Sequence, residues 1–134
     1  MGKFGCKCGH IIHDQTDALP HKADVFKDED LEPFYEAFVE KAQAFVDAVT
    51  ESDKEAWLDK HFSQGYPKDV RHGDVLHDLL TSLTFRYFVR MYECGNCGRL
   101  WIQTRTEENR YISFVPESGS FEGVLKSQYV EEKE

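Results

Sequence analysis

The sequence predicts an α+β fold: a small antiparallel sheet with cysteine-bearing turns and a packed insertion of two to three helices. Three observations predict it. Between about residues 30 and 83, apolar residues recur at three- and four-residue steps, the mark of helices that bury one side. Past that stretch the pattern changes to alternation, the mark of strands with one apolar face. Two short segments also resemble each other, Cys6-Lys7-Cys8-Gly9 and Cys94-Gly95-Asn96-Cys97-Gly98, and each reads as a hairpin turn. The expected organisation is a single domain over residues 1–130, with the helical insertion at about 30–83 and an acidic tail at 131–134.

The elements follow in order. Lys3 to Asp14 reads as a short hairpin, with Gly9 supplying positive φ after Cys8 and Ile11 and Ile12 opening its second strand. Residues 14–25 contain Pro20 and read mostly as loop. Leu31, Phe34, Tyr35, Phe38, Ala42, Phe45, Val46 and Val49 then form one stripe of a helix. Asp30 is its expected N-cap, which puts Pro33 in the first turn, where no i−4 bond is needed. Thr50 and its successors interrupt it. Ser52 and Glu55 match a capping box for a second helix with Trp57, Leu58 and Phe62 buried, stopped by Gly65 and Pro67. A third helix is expected near 73–83 on Leu76, Leu79, Leu80 and Leu83. Phe85, Tyr87, Val89 and Met91 then alternate as a strand, with Arg99–Gln103 and Tyr111–Val115 as two more and 121–126 as a last edge strand. Glu107, Glu108 and Asn109 supply a turn.

Composition bounds the class. The chain has 134 residues, 40% hydrophobic and 31% charged, ordinary values for a folded domain with a sizeable core. Its formal net charge is −9, and the excess is local. Residues 22–60 hold five Lys or Arg against twelve Asp or Glu, a net of −7. Such a field repels phosphate backbones and attracts cationic surfaces, while also serving plain solubility. The start has no leader-like apolar segment, and no run of about 20 apolar residues occurs, so no membrane span is expected. A cytoplasmic, reducing setting follows as the default. There, paired cysteines point to metal or redox chemistry more than to disulfides.

The four cysteines carry the main chemical signal. Cys94 and Cys97, two residues apart between two expected strands, aim both sulfurs at one ion, and Gly95 and Gly98 relieve crowding in the turn. Cys6 and Cys8 are the remaining cysteines, and four thiolates complete a tetrahedral site for one structural zinc ion. His10 and His13 stand beside the first turn as alternative ligands in place of Cys6. A single iron suits the same thiolates, whereas neither ferredoxin-type cysteine series is present. A redox pair would want its CxxC where a strand enters a helix, and Gly98 to Gln103 reads as strand.

On C6-K-C8-G9 and Y92-E-C94-G-N-C97-G98-R, the chain resembles the zinc-ribbon and zinc-knuckle group. The first segment departs from that pattern, with one residue between its cysteines where two is usual. The resemblance covers the two turns and their flanking strands, not the helical insertion. It implies a clamp joining the chain's start to its later sheet, and little about function.

The remaining features define competing expectations. The leading one is a non-enzymatic, zinc-stabilised protein-binding module, an immunity-type or regulatory protein for a basic partner. A second is a nucleic-acid-binding zinc ribbon using Arg86, Arg90, Arg99, Arg105 and Arg110 with Phe88, Tyr92, Trp101, Ile112 and Phe114. A third is an enzyme with a site at His72, Asp74 and His77. No catalytic residue is assigned: G-x-S-x-G, P-loop and dinucleotide-binding patterns are all absent from the sequence.

Overall fold

The computed structural model describes residues 2–129, so the expected tail at 131–134 lies outside the described residues. Along the chain run β1 (Lys3–Gly5), β2 (Ile11–His13), β3 (Lys22–Val25), α1 (Asp28–Thr50), α2 (Lys54–His61), α3 (His72–Tyr87), β4 (Val89–Glu93), β5 (Leu100–Gln103) and β6 (Tyr111–Phe114). The fold is α+β, with antiparallel sheets and three helices among the described residues. The chain divides into two compact units. Among the described residues, one joins the segment up to Val25 to that from Phe88 onward, and the other is Phe26–Tyr87. Among the described residues, no helix is long and apolar enough to cross a membrane.

The first unit, here the cysteine unit, holds a two-stranded hairpin, β1–β2, and a four-stranded sheet in the order β3-β4-β5-β6. Lys3 pairs with His13 in the hairpin, Tyr92 with Trp101 and Ile102 with Ile112 in the sheet. Phe4 seats the hairpin. Its ring lies 5.0 Å from Trp101 and 4.8 Å from Tyr111, both edge-on, and 5.7 Å from Tyr92. Asp14, just past β2, accepts two bonds from Lys22 Nζ at 2.9 and 3.0 Å and one from the Tyr92 hydroxyl. These bonds depress the Asp14 carboxyl below its ordinary value against the opposing effect of burial. The Tyr92 hydroxyl is pushed up by burial and by Asp14.

The second unit, the helical unit, packs its three helices around Phe45, Ala48, Trp57, Leu58, Val75 and Leu79. Leu58 and Val75 are fully buried, each contributing about 1.5–3 kcal/mol of hydrophobic stabilisation. Polar bonds close the loop between α2 and α3. Lys54 donates to the Val70 carbonyl at 2.6 Å, the Tyr66 hydroxyl donates to Asp78 at 2.6 Å, and Lys68 pairs with Asp59. Burial and Asp78 push the Tyr66 hydroxyl up to about 12.

Several expectations need correction. Phe85 and Tyr87 belong to α3, not to a strand, and the strand begins at Val89. The four-residue ladder Val75, Leu79, Leu83 continues to Tyr87, whose ring meets Phe34 edge-on at 5.6 Å, so helical spacing overrides the apparent alternation. Residues 22–25 form an edge strand rather than loop, paired from Lys22↔Tyr92 to Val25↔Val89. Residues 121–126 form no strand; positive φ at Gly119 and Gly123, 70° at each, breaks any extended run. Helix α1 starts at Asp28 with Lys27 at the cap, which places Pro33 inside the helix. Asp28, Glu29 and Asp30 all lie in its first turn, where negative charge is favoured. The capping box is absent. Asp53 occupies the α2 cap without a side-chain bond, and Ser52 sits at φ 60°. Helix α2 ends at His61, before Gly65.

Candidate metal centre

Both cysteine pairs sit on turns whose strands fix them. The first turn joins β1 to β2. Cys6 N–H donates to the His10 carbonyl, Gly9 N–H donates to the Cys6 carbonyl, and Gly9 holds φ +96°. The second turn joins β4 to β5. Gly98 N–H donates to the Cys94 carbonyl, Cys94 N–H donates to the Arg99 carbonyl, and Gly98 holds φ +79°. Gly98 also permits a close approach, since a Cβ there would fall on the Ser120 backbone and 2.8 Å from Phe121 Cα.

The turns bring four sulfurs together. Cys6 Sγ lies 3.7 Å from Cys97 Sγ, Cys8 Sγ lies 3.6 Å from Cys94 Sγ, and all four lie within 4.8 Å of one another. A tetrahedral ion with sulfur ligands at about 2.3 Å needs its sulfurs about 3.8 Å apart. The spacing meets that need and is far too long for disulfides. The cluster is compatible with a zinc-ribbon-like site, and its four thiols are able to hold a metal ion. Cys6 takes its place in it; His10 and His13 are not in this cluster.

Donors surround the sulfurs. The Trp101 indole N–H points to Cys6 Sγ at 3.4 Å, and the Asn96 side-chain N–H points to Cys8 Sγ at 3.4 Å. Backbone N–H groups of Cys8 and His10 serve Cys6 and Cys8, and those of Asn96 and Cys97 serve Cys94. Asn96 and the His10 amide draw the Cys8 thiol down to about 6. Burial raises the Cys6 thiol, but the Cys8 amide and Trp101 outweigh it and leave it below its ordinary value. Burial dominates at Cys94 and pushes that thiol up to about 12. A cation that binds all four displaces the remaining protons.

Sequence reasoning missed the Trp101 and Asn96 donors and the buried Glu93. Asn96 lay inside the motif, but nothing in the spacing says which sulfur it serves. Trp101 and Tyr92 are buried rather than offered as a stacking surface. Arg99 donates to Ser113 near the second turn, while Arg105 and Arg110 lie at the opposite end of the β5–β6 hairpin. In the third set, Asp74 is held below its ordinary value first by its bond to Arg71, with His77 the smallest contribution. Asp74 is engaged by Arg71 at 3.0 and 3.2 Å, and the His77 ring is 72% exposed beside Asp78. His72 meets Phe45 edge-on at 5.6 Å.

Fold and cluster together define an α+β protein built around a four-cysteine site. The chain belongs to the family described as a domain of unknown function, DUF8617, which it matches over residues 2–118. No curated protein and no solved structure matches it.

Proposed function

We propose that this is a non-enzymatic, zinc-stabilised, cytoplasmic protein-binding module, an immunity-type or regulatory protein whose helical unit recognises a basic partner. Zinc is the ion suited to a tetrahedral site closed by four protein thiolates. Closed in that way, the centre has no position for a water nucleophile, so its role is to hold the fold. One equivalent of zinc in a colourless protein is the expected elemental result. Stoichiometric iron with visible absorption would replace zinc in this reading.

The observation that carries the binding role is on α1. Asp28, Glu29, Glu32, Glu36, Glu40 and Asp47 are exposed, and among the described residues none of them forms an ion pair. Glu32, Glu36 and Glu40 recur at four-residue steps, where like charges cost about 0.2–0.5 kcal/mol per pair. Tyr35 and Val39, 52% and 62% exposed, stand in the neighbouring row. Apolar anchors ringed by one sign of charge suit a complementary cationic surface.

The test is co-purification at low salt with the native chain and with a Glu32→Lys/Glu36→Lys/Glu40→Lys variant. A basic protein should be retained by the first and lost by the second at equal metal content. Retention of the same proteins by both, or of none by the native chain, would overturn the reading.

A further inference from the structure

The two cysteine turns do not serve their own sulfurs equally. In the second turn the backbone N–H groups of Asn96 and Cys97, two and three residues on, both donate to Cys94. In the first turn, among the described residues, one backbone N–H serves each sulfur: that of Cys8 for Cys6 and that of His10 for Cys8. The amide three residues beyond Cys6 belongs to Gly9, and it donates to the Cys6 carbonyl at 3.0 Å instead. The one-residue gap therefore leaves each of its sulfurs one backbone donor fewer than Cys94 has. Side chains from the other half of the site fill both places. The Trp101 indole N–H reaches Cys6 Sγ at 3.4 Å, and the Asn96 side-chain N–H reaches Cys8 Sγ at 3.4 Å. Trp101 is aimed by its pairing with Tyr92 across the sheet and by the Phe4 ring, 5.0 Å away and edge-on. Its indole is buried, and a buried N–H of this kind is a donor that needs an acceptor.

We infer that Trp101 and Asn96 are positioning residues for the metal, and that the unusual Cys6-Lys7-Cys8 spacing works as a ligand pair because of them. A thiolate that binds a cation keeps negative charge on sulfur, and an N–H aimed at it makes a charge-assisted bond. Such outer partners orient the ligands, and losing one weakens metal binding about 10–100-fold. The two donors are not equal. The Trp101 bond is shielded from water, where a hydrogen bond is electrostatically stronger. Asn96 is exposed, so water replaces part of what its removal takes away. Both donors come from the segment that carries the second turn, Asn96 from within the gap and Trp101 from β5. That segment therefore gives the ion two sulfurs directly and steadies the other two. The inference rests on the four thiols holding a metal, which elemental analysis of the native chain decides separately.

The test has two readouts on the full chain: zinc affinity by competition with a chromophoric chelator, and the thiolate-to-metal charge-transfer band of the cobalt-substituted protein. Replacing Trp101 by benzothienylalanine keeps the ring shape and puts a sulfur where the N–H was. That protein should bind zinc about tenfold more weakly or worse, and its cobalt band should move to longer wavelength, because an undonated sulfur holds its electrons less tightly. Trp101→Phe should shift the band the same way. Asn96→Ala should lose several-fold in affinity with a smaller shift of the same sign. Phe4→Leu disturbs the same core without touching a donor, and should lower the melting temperature while leaving the band in place. Unchanged affinity in the folded benzothienylalanine protein or in Asn96→Ala would overturn the inference. So would a loss of affinity without a band shift, or an equal shift in Phe4→Leu, since either would reduce the role to packing.

Discussion

The helical unit has a continuous apolar core in which Phe45, Trp57, Leu58, Val75 and Leu79 touch across three helices. The cysteine unit buries a smaller set, Ile12, Tyr92 and Trp101, together with the thiols of Cys6 and Cys94. Its first hairpin has two strands of three residues each, an assembly that is marginal in water without support. That support comes from Phe4, from the Asp14 bonds and from the sulfur cluster. One unit is therefore held by area removed from water. The other depends on a few directional contacts and on whatever occupies its four sulfurs.

The largest effect that distinguishes the two should come from metal withdrawal. Structural zinc supplies about 10–16 kcal/mol in small zinc-dependent folds. A strong chelator should abolish the near-ultraviolet signal of Trp101 and the Phe4–Tyr111 ring contacts while most far-ultraviolet helical signal persists. Simultaneous loss of both signals would break the comparison. The reciprocal change is Leu58→Ala, which opens a cavity in the helical core. It should cost about 2–5 kcal/mol by denaturant melting and leave metal stoichiometry intact.

A finer contrast lies within the second turn. Gly98→Ala combines positive φ with collision against the Ser120 backbone, and should cost about 2 kcal/mol or more. A Cβ on Gly95 meets nothing within 4 Å, so Gly95→Ala should change the melting temperature little. Similar losses for the two would refute the close packing of the 120–121 backbone on the turn.

The smallest effect is Asp14→Asn, expected to cost about 1–2 kcal/mol near neutral pH through its weakened bonds to Lys22 and Tyr92. The sign of its pH dependence follows from the depressed carboxyl. Its stabilising contribution is complete above the unfolded value near 3.8 and disappears as pH falls through the lower folded value. Acid also protonates the thiolates in both proteins, so the readout is the difference between native and variant melting. That difference should shrink below pH 4; a constant gap would sever Asp14 from the hairpin's docking.

The sequence made some of this legible and hid the rest for identifiable reasons. Thiol spacing is a local signature, and the clustering of Cys6, Cys8, Cys94 and Cys97 agrees with it. The stripe in α1 was equally plain, because burial of Phe34 and Phe45 imposes helical spacing. Strand β3 was obscured because it is short, lies at an edge and alternates only Lys22, Ala23, Asp24 and Val25. Tyr87 was misread because residues 85–91 satisfy two periods at once, and packing against Phe34 decides between them. The donors at Trp101 and Asn96 depend on which atoms meet across 88 to 95 residues of chain, and no local pattern encodes that.

The absent side chain at Gly98 bears on where this fold stops. The family match ends at residue 118, yet the backbone at Ser120 and Phe121 rests on Gly98, and Gly123 and Val124 answer a carboxylate beside Cys94. A protein trimmed to the matched span would strip the outer cover from the second cysteine turn and leave both Glu93 oxygens without donors. For anyone choosing where to cut, the physical boundary of the cysteine unit lies beyond Val124.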